Sequence, residues 1–294
     1  MMRRDRPLAG LLMTGLAFGC NFPLGKLAMA AGVNPALWAA AICLGGGLAV
    51  LAAALAFEPS GPAPGVWRYA ATSSLISNVI PLTLTFAVIA HIGSGLTAIL
   101  VATSPITTAL ISLLLGVRPP TRWGLAGIFV GLTGACLIVA AQQGGAGGGW
   151  SSYLLLAALI PLFLGAGNVY RTVAWPRGAG PLRLGAAINL AAVAPLLAIA
   201  WAWGGLDLSP FAAIPGLAAA QLLAATVMYL LLFRLQAAGG PTYLSQIGYV
   251  AAAFAAVIGV GFLGERYPPM VWVGVAVVAA GIAITTLAQR RERR

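Results

Sequence analysis

Ten apolar runs follow one another along this chain, at about 8–31, 35–57, 66–90, 94–116, 122–142, 151–173, 181–203, 211–234, 241–264 and 269–288. Each approaches the roughly 20 residues that an α-helix needs to cross the hydrocarbon of a bilayer. In lipid every backbone N–H and C=O must find its partner inside the protein, so an apolar run of this length is confined to a helix. The breaks between runs fall at Gly, Pro and clustered charge, where turns are expected. An apolar soluble domain does not account for so many long uncharged runs. Only 7% of the 294 residues are charged, 61% are hydrophobic and the mean hydropathy is +0.97, whereas about a quarter of the residues in soluble domains are charged. The chain is read as an all-α integral membrane protein with ten transmembrane helices.

The net charge of +11 could point to a nucleic acid, but the positions of the sixteen Lys and Arg residues say otherwise. MRR at the start, Arg118 with Arg122, Arg171 with Arg177 and Arg183, and the RRERR tail all flank apolar runs. With the N-terminus in the cytoplasm, every cation except Lys26 and Arg266 lies on the cytoplasmic side, and the external connections near 32–34, 143–149 and 204–209 carry none. That asymmetry is the positive-inside signature. It predicts a multi-pass protein of the bacterial inner membrane with both termini cytoplasmic and no nucleic-acid partner. Met1 to Ala17 looks superficially like a signal peptide, yet the run continues past Lys26 and is read as an uncleaved first span. Cys20, Cys43 and Cys136 are odd in number and all lie in apolar runs, so they are read as small packing residues.

The sequence also repeats itself. Across the low-complexity linker QQGGAGGG at 142–149, Gly116 is followed by Arg118, a proline turn and a span with Gly127 and Gly134; Gly264 is followed by Arg266, a proline turn, Gly274 and Gly281. Asn21 stands early in one half as Asn168 does in the other. Halves of five spans, 1–145 and 146–294, must enter the membrane from opposite sides because five is odd. The expected architecture is a pair of inverted five-helix repeats around a central cavity, as in many secondary transporters.

Polar groups at bilayer depth are costly and therefore informative. On the third span Ser74, Ser77, Asn78, Pro81 and Thr85 recur at helical spacing and form one stripe. The fourth carries Thr97, Ser104, Thr108 and Ser112, with Pro105 loosening its backbone; on the sixth Pro161, Gly165, Asn168 and Thr172 share a face. The eighth offers Gln221, Met228 and Tyr229, the ninth Tyr243, Ser245, Gln246 and Tyr249. Such groups either bond helix to helix or line a cavity. Those that are large and near midspan, Asn78, Gln246 and Tyr249, are the first candidates for substrate contact. Asn21, Lys26, Asn168, Tyr170, Tyr229, Ser77 and Ser104 follow. GGG at 45–47, and Gly127, Gly131 and Gly134, read as packing faces. In the first span Asn21 and Pro23 leave carbonyls under-bonded, which implies a bend or gate. Lys26 has two readings: it snorkels to the headgroups, or it gives the outer cavity a positive lining that attracts a carboxylate.

The stretch AFGCNFPLGKLA resembles the WGSNF-x-x-x-K signature near the start of EamA-type members of the drug/metabolite transporter superfamily, with Phe18 where tryptophan is usual. The "P…LLLGE" element of that family is similar to Pro105–Gly116, which lacks the acid, and to Phe262–Glu265, which lacks the proline. Among its branches the chain looks most like the bacterial aromatic amino acid exporters of YddG type. The resemblance implies ten helices around a cavity lined mainly by spans one, three, four, six, eight and nine.

None of the acids Asp5, Glu58, Asp207, Glu265 and Glu292 falls inside a span, and His91 lies near the end of the third, so an embedded proton relay is not expected. Facilitated diffusion or exchange is favoured. Intramembrane hydrolysis would need a Ser/His, paired Asp or HExxH set within the spans, and a channel would need charge rings or a carbonyl filter; neither pattern is in the sequence. The expectation is a secondary transporter, not an enzyme, exporting small zwitterions such as aromatic or hydrophobic amino acids by alternating access. Its partners are a small-molecule substrate and the lipid bilayer; it needs no cofactor or metal and works as a monomer. The alternative is a transporter of anionic metabolites, of sugar-phosphate or nucleotide-sugar type, or a drug antiporter of the same superfamily.

Overall fold

The computed structural model describes residues 6–58, 64–117, 121–143, 152–239 and 241–291. Among them are thirteen α-helices and no strand: α1 (Arg6–Ala30), α2 (Pro35–Phe57), α3 (Val66–Ser74), α4 (Ile80–Ile92), α5 (Ser94–Val101), α6 (Ser104–Leu114), α7 (Arg122–Gln143), α8 (Ser152–Val173), α9 (Pro181–Ala202), α10 (Ser209–Ala213), α11 (Pro215–Gly239), α12 (Pro241–Phe262) and α13 (Pro269–Arg291). Six stretches are long and apolar enough to cross a membrane: Pro35–Phe57, Val66–Ile92, Ser94–Leu114, Ser152–Val173, Pro181–Ala202 and Pro215–Leu232. Shorter apolar helices cover Arg122–Ile138, Ile247–Phe262 and Pro269–Gly281.

Every predicted run is occupied by helix, and prolines explain where the helices break. The third run is α3 and α4 joined by one π-helical turn, Leu75–Val79, closed by the Ile80 N–H donating to the Leu75 carbonyl. Pro81 follows directly and has no N–H with which to continue the α-pattern, so the turn stays wide. In the fourth run the chain breaks between α5 and α6 at Ala102–Thr103, two residues before Pro105, as the loosened backbone predicted. The eighth run begins later than expected: Ile214 leaves helical geometry at φ −129, and Pro215, preorganised for a first helical position, starts α11. By contrast α1 continues through Pro23. Asn21 turns its amide back onto the Ala17 and Phe18 carbonyls at 2.8 and 3.1 Å, in the turn that precedes the proline.

The helices pack in defined pairs: α7 with α13, α2 with α9, α1 with both α11 and α12, α8 with both α4 and α6, α5 with α12, α3 with α9, and α2 with α11. Glycine makes the closest of these possible. A Cβ at Gly281 would fall 2.4 Å from the Gly131 backbone nitrogen, and one at Gly134 would fall 2.6 Å from that of Val278. The α7–α13 seam is thus backbone against backbone, the small-residue geometry of membrane helices. Gly47 likewise admits Asn189 and Leu190 of α9, and Gly46 admits the ring of Tyr229.

Large apolar side chains cover the outside, among them Leu55, Leu114, Phe129 and Phe262. Exposed Trp67, Trp123, Trp201, Trp203 and Trp272 sit at or near helix ends, where amphipathic rings meet the headgroups. Of the cysteines expected to pack inside, Cys43 is buried and Cys20 half-buried, but Cys136 is exposed, on a face of α7 turned away from the seam.

Candidate functional site

Polar chemistry is gathered at three levels of the bundle. At the end where α1 finishes, the Lys26 Nζ donates to Glu265 Oε1 at 2.7 Å. Glu265 lies between α12 and α13 and is held from several directions. The Ser94 N–H donates to Oε1 at 2.5 Å and the Ser94 hydroxyl at 2.8 Å, the Gly95 N–H donates to Oε2 at 3.0 Å, and the Tyr267 hydroxyl also donates to Oε2. Tyr267 in turn accepts from the Leu96 N–H. A carboxylate at the first amides of α5 also meets the positive end of the helix dipole. Burial pushes the Glu265 carboxyl up, but the bonds from Lys26, Tyr267, Gly95 and Ser94 outweigh it and hold the group at about 2. The residue stays ionised although only 7% exposed. Lys26 thus pairs with a carboxylate of its own chain, with a quarter of its side chain still exposed.

At mid-depth, two buried amide pairs cross between helices. Gln221 Nε2 of α11 donates to Asn21 Oδ1 of α1, whose own amide also approaches Met228 Sδ at 4.0 Å. The Gln221 Oε1 is buried without a hydrogen-bond partner among the described residues. One helix over, Asn78 Nδ2, on the π-helical turn, donates to Asn189 Oδ1 of α9 at 3.1 Å and approaches Cys43 Sγ of α2 at 3.8 Å. Asn189 Nδ2 returns to the Gly185 carbonyl at 2.9 Å. Tyr229, one residue past Met228, reaches Cys43 from α11.

At the opposite end of the bundle, α8 brings Asn168 against α6, with Arg171 bonded back to it. Asn168 Nδ2 donates to Thr108 Oγ1 at 3.1 Å, and Arg171 Nη2 donates to Asn168 Oδ1 at 2.5 Å. Tyr170 stacks on Tyr69 of α3 with ring centroids 5.7 Å apart, and Trp175 meets Tyr69 edge-on. Glu58, at the end of α2, accepts the first amides of α9, Leu182 N–H at 2.7 Å and Arg183 N–H at 3.0 Å.

The sequence candidates are distributed over this frame. Asn21, Asn78, Tyr229 and Ser77 are buried between helices, and the whole predicted stripe of Ser74, Ser77, Asn78, Pro81 and Thr85 is buried. Ser77 faces Gly167 of α8. Ser104 is half-buried, and its carbonyl accepts from Thr107 and Thr108. Tyr249 is half-buried on α12; Gln246 is on the same helix, but its side chain lies outside the described residues, as do those of Tyr243 and Ser245. The face Pro161, Gly165, Asn168 is directed at α6, where the Thr107 hydroxyl donates to the Pro161 carbonyl. Three participants were not singled out as candidates. Asn189 is a lone amide on a span otherwise rich in Ala and Leu, and no periodicity marks which way it points. Glu265 and Arg171 read as loop charges, yet the structure turns both inward.

Comparison with known proteins agrees with this geometry. Over 205 residues, 67% of this chain, the sequence is 27% identical to the uncharacterized inner membrane transporter YedA of Escherichia coli K12, and equally to its counterparts in strains O6:H1 and O157:H7. The chain spans 63% of the length of these curated relatives. A crystal structure with 18% identity superposes with a TM-score of 0.63, covering 98% of this chain and 99% of the other, which shows a shared fold. The EamA-like transporter family matches twice, over residues 7–140 and 151–287. Buried amide pairs inside an all-helical, lipid-facing bundle and this double match lead to one conclusion: the chain is a multi-pass membrane protein of the EamA-like transporter family, within the drug/metabolite transporter superfamily.

Proposed function

We propose that the protein exports small zwitterionic metabolites, aromatic or hydrophobic amino acids in particular, by alternating access of two inverted five-helix repeats, 1–145 and 146–294. It would reside in the bacterial inner membrane with both termini cytoplasmic, as the positive-inside asymmetry and the YedA relatives suggest. The observation that carries the reading is that both mid-depth amide pairs join one half of the chain to the other. Asn21 meets Gln221, and Asn78 meets Asn189. A seam lined with amides between repeats is where transporters of this architecture hold their cargo.

The helix pairing supports the inverted repeat. Matching α1 to α8, α2 to α9, α3 and α4 to α11, α5 and α6 to α12, and α7 to α13 exchanges one contact for another. The α1–α12 contact becomes α8–α6, α1–α11 becomes α8–α4, and α2–α11 becomes α9–α3, while α7–α13, α2–α9 and α5–α12 map onto themselves. In this arrangement the Lys26–Glu265 pair closes the periplasmic end. Asn78, Gln246 and Tyr249 contact the substrate first, with Asn21, Lys26, Asn168, Tyr170, Tyr229, Ser77 and Ser104 around them. Each of these groups can bond a polar end while aliphatic surface holds the side chain.

No acid other than the salt-bridged Glu265 is buried among the described residues, which favours diffusion down the substrate gradient or exchange. Proteoliposomes loaded with labelled amino acids test the proposal. Efflux of aromatic and hydrophobic amino acids at a rate indifferent to an imposed pH gradient is expected. Efflux of none of them rejects the substrate class, and acceleration by the gradient rejects the uncoupled mechanism.

A further inference from the structure

Arg171 is a cation that α8 holds by hydrogen bonding, with no ion pair among the described residues. It occupies the last turn of α8, a position from which a long cationic side chain ordinarily snorkels to the headgroups. Here it is drawn back. Nη2 bonds to Asn168 Oδ1 one turn earlier, Asn168 is anchored on the Thr108 hydroxyl, and Thr108 is itself tied to the Ser104 carbonyl. The chain of bonds ties the half-buried guanidinium, through Asn168, to α6.

No carboxylate among the described residues answers it. Glu58 is committed to the amides of Leu182 and Arg183, Asp207 to the Ser209 N–H and hydroxyl, and Glu265 to Lys26. From α3 the Tyr69 hydroxyl donates to the Arg171 carbonyl at 3.5 Å. A guanidinium carries five N–H donors in a planar fork that matches two carboxylate oxygens. The bond to Asn168 uses one. Beside it stands the aromatic wall of Tyr69, Tyr170 and Trp175.

We infer that Arg171 is the carboxylate-binding residue of the transport pathway: its free N–H fork takes the carboxylate of a monocarboxylate ligand whose apolar or aromatic body lies against Tyr69, Tyr170 and Trp175. Arg171 thereby becomes the residue that selects acids over their amides. The inference deepens the export reading above and rests on it for the identity of the cargo, but not for the chemistry of the site.

Equilibrium titration of the purified full chain in detergent tests it, with phenylalanine, 3-phenylpropanoate, phenylalaninamide and phenyl phosphate as probes. The native protein is expected to bind the two carboxylates at least tenfold more tightly than the amide. Arg171→Gln should lose that preference by weakening carboxylate binding at least tenfold while leaving the amide unchanged. Arg171→Lys, which keeps the charge without the fork, should retain the preference at reduced affinity, and the amide titration confirms that each variant is folded. Equal binding of 3-phenylpropanoate by native protein and Arg171→Gln, or no binding by the native protein, overturns the inference. So does a tenfold preference for phenyl phosphate, which would make this a phosphate site. Carboxylate binding that depends on Arg171 in a protein that moves no amino acid in liposomes would sink the export reading and leave this one standing; undiminished amino acid export by Arg171→Gln would do the reverse.

Discussion

The amide of Asn78 illustrates how much a single buried side chain carries in a bilayer. Its bond to Asn189 spans two helices, and removing it leaves the Asn189 oxygen without that donor. An unsatisfied buried polar group costs about 1–3 kcal/mol, too little to unfold a bundle of this size. Asn78→Ala is therefore expected to yield a folded, abundant protein whose export rate falls about tenfold, a factor that corresponds to about 1.4 kcal/mol; membrane abundance and liposome efflux measured on one preparation check it. Gln246→Ala should act in the same direction. Asn78 and Asn21 could be read from the sequence because an amide within an apolar run is conspicuous. Asn189 and Arg171 could not. The first has no companions at helical spacing to show its face, and the second sits at a helix end where charge ordinarily reports topology alone. Glu265 was visible only as part of a family-like motif; that its carboxylate would fold back over the first amides of α5 is a tertiary fact with no local signal.

Among the elements, α7 and α13 depend most on one residue type. Gly127, Gly131 and Gly134 could be read in the sequence as a packing face, although not that they would meet Gly274 and Gly281, which were legible only as landmarks of the internal repeat. Forcing a larger side chain into a packed contact costs about 1–3 kcal/mol. Since any Cβ at Gly281 falls against backbone, which cannot swing aside as a side chain can, Gly281→Leu is expected to lie at the upper end of that range. It should lower the midpoint of thermal unfolding in detergent by several degrees, whereas Gly32→Ala, in a turn with open space around it, should be governed by its backbone strain at φ +83. The π-helical turn makes a second test at this scale. Pro81→Ala restores an N–H and lets the turn relax toward α-geometry, which rotates Asn78 away from Asn189. Export should drop with little loss of stability, measurable in the same two assays. The apolar runs located the helices, six of which are long and apolar enough to cross a membrane, because lipid admits few other structures; the break at Ile214 was missed because an apolar run does not show where one helix stops and the next begins.

For the whole molecule, the Lys26–Glu265 pair ties α1, α5 and the α12–α13 connection together at one end. If this end opens during transport, fixing it should stop the cycle. A cysteine pair placed across this end where the Cα atoms lie within disulfide reach, about 7 Å or less, is expected to lose export under oxidation and regain it on reduction. The sign of the pH effect follows from the depressed carboxyl. Glu265 titrates at about 2 in the folded protein against 4.5 for the free group, so its stabilisation is fully present above about pH 4.5 and is lost as pH falls through about 2. Glu265→Gln should flatten the acid limb of a thermal-stability profile below about pH 4.5. The seam between α7 and α13 also bears on how such a chain is made. The Gly131 surface emerges from the ribosome while its counterpart at Gly281 is still unsynthesised, so the earlier helix must wait in the lipid with its bare backbone ridge unclaimed. Chains interrupted before Pro269 should consequently offer that ridge to the membrane's quality-control proteases, and their lifetime in the cell would report when assembly is complete.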